Sequence, residues 1–84
     1  MYAVEWVETA LAELTRLWNR ADSGRRRAIT RATNEIDDRL MRNPGETGES
    51  RSPGVRIHIE APLGVEFWVD DGRKRVWVVR VWDF

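Results

Sequence analysis

The 84-residue chain contains no cysteine, a single histidine, three prolines and no net charge. Without thiols it can form neither a disulfide framework nor a thiolate metal site, and a cytoplasmic location is the expectation. One histidine argues against a dedicated zinc site, and no metal or other cofactor is expected. No apolar run approaches the roughly 20 residues of a membrane span. The opening "MYAVEWVETA" lacks the basic start and apolar core of a signal peptide, so neither membrane insertion nor export is expected. Fourteen basic residues balance fourteen acidic ones, which leaves no overall attraction to nucleic acid or to anionic lipid. Any such attraction has to be local.

What the chain does have is arginine and tryptophan. Lys74 is the only lysine, and arginine grips phosphate or carboxylate with two parallel bonds. Five tryptophans exceed what a small core absorbs, so one or two are expected to face a partner. The length fits one domain, residues 1–84, with a two-layer core and modest stability.

Tyr2 to Val7 alternates as a short strand, with Tyr2, Val4 and Trp6 on one side. From Glu8 to Ala21, Ala10, Leu11, Leu14, Leu17, Trp18 and Ala21 follow the spacing of an amphipathic helix. Asp22 and Ser23 are good N-caps for a second helix whose buried stripe is Ile29, Ala32, Thr33, Ile36 and Leu40, closing at Asn43-Pro44. Trp18 and Ile36, both on the expected buried stripes, are the positions where truncation to alanine is expected to cost most. "GETGESRSPG", Gly45 to Gly54, lacks periodicity and reads as an exposed loop. Strands are expected over Val55–Ala61, Val65–Val69 and Arg75–Trp82, joined through "PLG" and "DDGRK". The expected architecture is α+β in the order β-α-α-β-β-β, with two helices on one face of a four-stranded, mainly antiparallel sheet.

This order, with "YAVEW" before an alanine- and leucine-rich helix, "NP" closing the second helix, "GESR", "PLGVEFWVDD" and the ending "VRVWDF", resembles the RelE/ParE superfamily of bacterial type II toxins over the whole chain. The resemblance implies a toxin held by a cognate antitoxin. It also implies one of two targets: messenger RNA on the ribosome, cut by RelE-like members, or DNA gyrase, inhibited without RNA cleavage by ParE-like members. A non-toxic binding module of the same fold is the third alternative, because a fold does not fix a function. In the RNA-cutting members, basic residues on the first strand after the loop match Arg56 and His58. Where those enzymes carry an arginine at the start of the next strand this chain has Gly64, and it ends in Trp82-Asp83-Phe84 where they carry a basic residue and a tyrosine.

In "VRIHIEAP", the alternation puts Val55, Ile57 and Ile59 on the expected core side and Arg56, His58 and Glu60 outside. Matching buried faces then sets His58 opposite Glu66 and Arg56 opposite Trp68. Cleavage through the 2′-hydroxyl needs a base, an acid and cations on the phosphate, roles that His58, Glu66, Arg56 and Arg80 would fill, with Arg51 as a further phosphate contact. The alternative is a structural ion pair and a cation–π pair on a wetted sheet. Arg25, Arg26 and Arg27, in the first turn of the second helix, oppose the helix dipole and are expected to form a solvated face near Asp22. On the last strand two facings are open: Val76, Val78, Trp82 and Phe84 outside with Trp68 around Arg80, or Val76 and Val78 buried with Trp77 outside. Trp68, Trp82 and Phe84 are the expected partner-binding residues, for an antitoxin or for a second copy in a homodimer.

Overall fold

The computed structural model describes residues 1–84. Strand β1 (Ala3–Trp6) leads into helix α1 (Glu8–Asn19) and helix α2 (Ser23–Arg42); β2 (Glu49–Ser52), β3 (Val55–Glu60), β4 (Leu63–Asp70) and β5 (Arg75–Asp83) follow. The sheet order is β1-β5-β4-β3-β2, with β1 parallel to β5 and the remaining pairs antiparallel. The sheet therefore has five strands and is mixed, where four mainly antiparallel strands were expected. The additional strand is β2, inside the segment expected to be a loop. It is short, exposed throughout and pairs only with β3, so no hydrophobic alternation marks it.

Both helices pack on one face of the sheet, as the periodicities indicate. Asp22 caps α2, its carboxylate accepting the Arg25 amide at 2.8 Å. The core joins Ala10 and Leu17 of α1 and Ile29, Ala32, Ile36 and Leu40 of α2 to Leu63, Val65 and Phe67 of β4 and Val76, Val78 and Val81 of β5. Trp18 is absent from it: the residue is 41 % exposed and its ring lies against the Arg26 guanidinium, 4.2 Å from centroid to Cζ. An indole at the outer edge of α1 covers the helix end instead of filling the interior. Arg26 also donates to the carbonyls of Trp18 and Asn19 at 2.9 and 3.1 Å, satisfying groups left open where α1 stops. Arg25 reaches Asp83 at 3.2 Å and the Phe84 carbonyl at 3.0 Å. Two of the three arginines expected in solvent are thus fasteners, and Arg27 alone is free of hydrogen bonds and ion pairs. No helix is long and apolar enough to cross a membrane.

Candidate functional site

Strand β3 turns its polar residues toward the helices, opposite to the expected facing. The hairpin turn is two residues, Ala61-Pro62, so Glu60 pairs with Leu63, His58 with Val65 and Arg56 with Phe67. Directly opposed residues share a face, and Leu63, Val65 and Phe67 are core. The expected register is off by one residue, which exchanges every side chain on the strand between faces.

At the margin of the helix layer these inward polar groups find partners. Arg56 donates from Nε to the Thr47 carbonyl at 2.8 Å and from Nη2 to the Gly48 carbonyl at 3.0 Å, tying the segment after α2 to the sheet. His58 Nε2 lies 2.9 Å from Glu60 Oε1, and the same carboxylate oxygen meets Arg39 of α2 at 3.4 Å. His58 and Glu66 are therefore on opposite faces of the sheet, and Arg56 stands with His58, away from Arg80. Arg51 lies on exposed β2 and makes no ion pair.

The open face of the sheet is built from cross-strand rows. Ile59, Gly64 and Trp82 form one, Ile57, Glu66 and Arg80 a second, and Val55, Trp68, Trp77 and Glu5 a third. Neither facing expected for the last strand holds along its whole length. Val78 pairs with Phe67 and Arg80 with Glu66, leaving Val79 as an extra residue at a bulge. The bulge resets the alternation, so Val76, Val78 and Val81 all point into the core while Trp77, Arg80 and Trp82 share the open face.

Within that face the groups are fastened to one another. Arg80 pairs with Glu66 at 2.7 Å and lies over Trp82, 5.4 Å from its centroid. Trp68 Nε1 is within 3.4 Å of Glu66 Oε2, and Arg75 bonds Glu5 at 3.0 Å beside Trp77. Gly64 is the seat of this arrangement, because a β-carbon there would overlap the Trp82 indole. The arginine of the RNA-cutting pattern is thus replaced by a bare backbone on which an aromatic ring lies. Trp68 is 49 % exposed and Ile59 53 %, while Trp82 is half-buried. Phe84 is also exposed, with its amide bonded to the Pro62 carbonyl at 3.2 Å.

Glu66 has its pKa lowered from the ordinary 4.5, chiefly by the Arg80 hydrogen bond, which outweighs the opposing effect of burial; the Trp68 N–H and the Arg80 charge lower it a little further. It stays ionised and is a weak proton acceptor. Because its folded pKa lies below its unfolded value, its contribution to stability is complete above about 4.5 and is lost as pH falls through the folded value. Urea denaturation of wild type and Glu66→Gln across pH 3–7 should show the variant less stable at neutral pH, with the two curves converging in acid.

No family model matches the sequence, and no curated protein is similar to it in sequence. Solved structures match almost end to end. A chain of the RelBE toxin–antitoxin complex of Mycobacterium tuberculosis superposes with a TM-score of 0.77 at 20 % identity, over 99 % of this chain and 98 % of that one. The chain has the RelE/ParE fold. A chain of the chromosomal ParDE system of P. aeruginosa superposes on this one with a TM-score of 0.75 at 20 % identity, covering 99 % of this chain and 96 % of that one. The isolated E. coli RelE toxin follows at 0.67 and 19 %, covering 99 % and 84 %.

Proposed function

We propose that this RelE/ParE-fold protein is the toxin-side member of a toxin–antitoxin pair and acts by binding protein through the open sheet face. The observation that carries this reading is the charge state of that face. Each of its arginines is already neutralised, Arg80 by Glu66 and Arg75 by Glu5, and Glu49 and Asp70 share the same side. Along the rows of β3, β4 and β5 a phosphate chain would meet no free cation, which leaves Arg51 on the β2 edge as the one unpaired arginine beside them, and a general base would have to be the acid-shifted Glu66 with no histidine beside it. Exposed Trp68 and Ile59 beside Trp77 and Trp82 instead form the kind of apolar surface that a protein partner covers. Trp68 and Trp82, with Phe84 at the rim, are its anchors for a cognate antitoxin or for a cellular target of the gyrase type.

Induced expression in bacteria tests this. Wild type should slow growth with bulk messenger RNA intact, and His58→Gln should inhibit growth equally. Trp68→Ala and Trp82→Ala should relieve inhibition and weaken antitoxin binding by about tenfold or more each. Messenger RNA cut in a manner abolished by Glu66→Gln would return the protein to the endoribonucleases. Growth unaffected by wild type would leave a binding module without toxicity.

A further inference from the structure

The two edges of the sheet are finished differently. Beside β1 the helix layer closes over the ladder: the Tyr2 amide donates to the Met41 carbonyl at 2.9 Å, and the Trp6 indole to the Asp37 carboxylate of α2 at 2.7 Å. Strand β2, at the other edge, is exposed along its whole length and pairs only with β3. No backbone hydrogen bond outside that ladder involves Glu49 to Ser52, and the one other bond there is long, from the Ser50 hydroxyl to the Ser52 carbonyl at 3.4 Å. Donors and acceptors directed away from β3 are therefore open to water or to another chain.

The charges on this edge are unmatched as well. Neither Glu49 nor Arg51 has an ion pair or a side-chain hydrogen bond within the chain, although they are opposite in sign. They lie two apart on the strand and so stand on one side of it. Arg51 falls at the irregularity between Ser50 and Ser52, where β3 supplies no residue opposite it. An antiparallel copy of the same strand, related by a two-fold axis between the two copies of Ser50, sets Glu49 of each against Arg51 of the other. Sliding that copy by two residues puts Glu49 against Glu49 in one direction and Arg51 against Arg51 in the other, and a parallel copy sets like beside like. Opposite charges directly across a ladder stabilise it and like charges oppose it. Charge and a bulge ordinarily blunt an edge; here the order of the charges favours a single register among those that keep both helix layers on one side.

We infer that this chain forms a weak two-fold homodimer by joining its β2 edges antiparallel, Glu49 of each copy against Arg51 of the other, so that the two five-stranded sheets become continuous. A second copy is favoured over an unrelated strand because the charge row of this edge is complementary to itself. The strand is short and the joined area small, so the dimer forms at high protein concentration. The inference rests neither on the open sheet face nor on toxicity.

Sedimentation equilibrium of the full chain over a concentration series tests this. The wild type should move from monomer toward dimer as concentration rises. Glu49→Arg and Arg51→Glu each bring like charges together at both ends of the joint, and each should weaken the dimer by about tenfold or more with an unchanged melting temperature. Mixed in equal amounts the two variants should associate again, since the positive edge of one meets the negative edge of the other. The double variant Glu49→Arg/Arg51→Glu should dimerise like the wild type, and Trp68→Ala should leave the dimer unchanged. A wild type that stays monomeric throughout the series overturns the inference. So does a dimer indifferent to the single reversals, a mixture that fails to associate, or a dimer lost with Trp68→Ala.

Discussion

Ile36→Ala should lower the unfolding free energy by about 2–5 kcal/mol, a large share of the total for a domain of this size. Ile36 is fully buried between the helix layer and the sheet, and rigid neighbours on both sides leave a cavity where its side chain was. Trp18→Ala removes a larger side chain but should cost only about 1–2 kcal/mol, because part of the indole is already wet and Arg26, which its ring covers, keeps its bonds to the carbonyls at the end of α1. Urea denaturation of the two variants checks the order. An equal or larger loss at Trp18 would put the indole in the core and contradict the packing described above.

Gly48→Ala should be costly for a different reason. Gly48 has φ of +69°, a region that alanine enters only with strain, and a methyl there would overlap the Ile57 carbonyl oxygen of β3. Backbone cannot swing aside as a side chain can. The expected cost is at least about 1–3 kcal/mol, felt first as separation of β2 from the sheet. Hydrogen exchange should show lost protection at Glu49–Ser52 and Ile57, with the amides of α2 and β4 protected almost as before. Arg56 would lose its bond to the Gly48 carbonyl in the same event. Unchanged exchange at β2 would mean that the glycine is dispensable.

The parts of this fold legible in the sequence are those governed by short-range chemistry. Asp22 caps α2 where its side chain and position indicate, Pro44 follows the end of that helix, and Ile29, Ala32, Ile36 and Leu40 mark its buried stripe. The RelE/ParE likeness also rests on this local order. The candidate site depends instead on parity, and parity is decided at two points that hydrophobicity does not report. One is the Ala61-Pro62 turn: a two-residue connection pairs Glu60 with Leu63 and sends His58 inward. Three apolar residues, Val55, Ile57 and Ile59, gave the strand an inviting but mistaken core face, since its inward polar groups find Arg39 and the carbonyls after α2. The other point is Val79, which has no residue of its own to pair with. Strand β2 carries no sequence signature, because an exposed edge of serine and charged residues has no pattern to keep.

The bulge at Val79 makes chain length within β5 a structural quantity, separate from composition. Before it the odd-numbered residues Arg75 and Trp77 look outward; after it the even-numbered Arg80 and Trp82 do. Val79 is the odd residue that the bulge absorbs: without it the strand would alternate regularly, with Val78 and Val81 still facing the core and Arg80 and Trp82 still on the open face. Substituting Val79 leaves the phase alone. The open face is therefore held by the spacing on each side of Val79, and a one-codon deletion of Val79 itself should straighten the strand while Glu66 keeps Arg80 and Gly64 keeps Trp82 as partners.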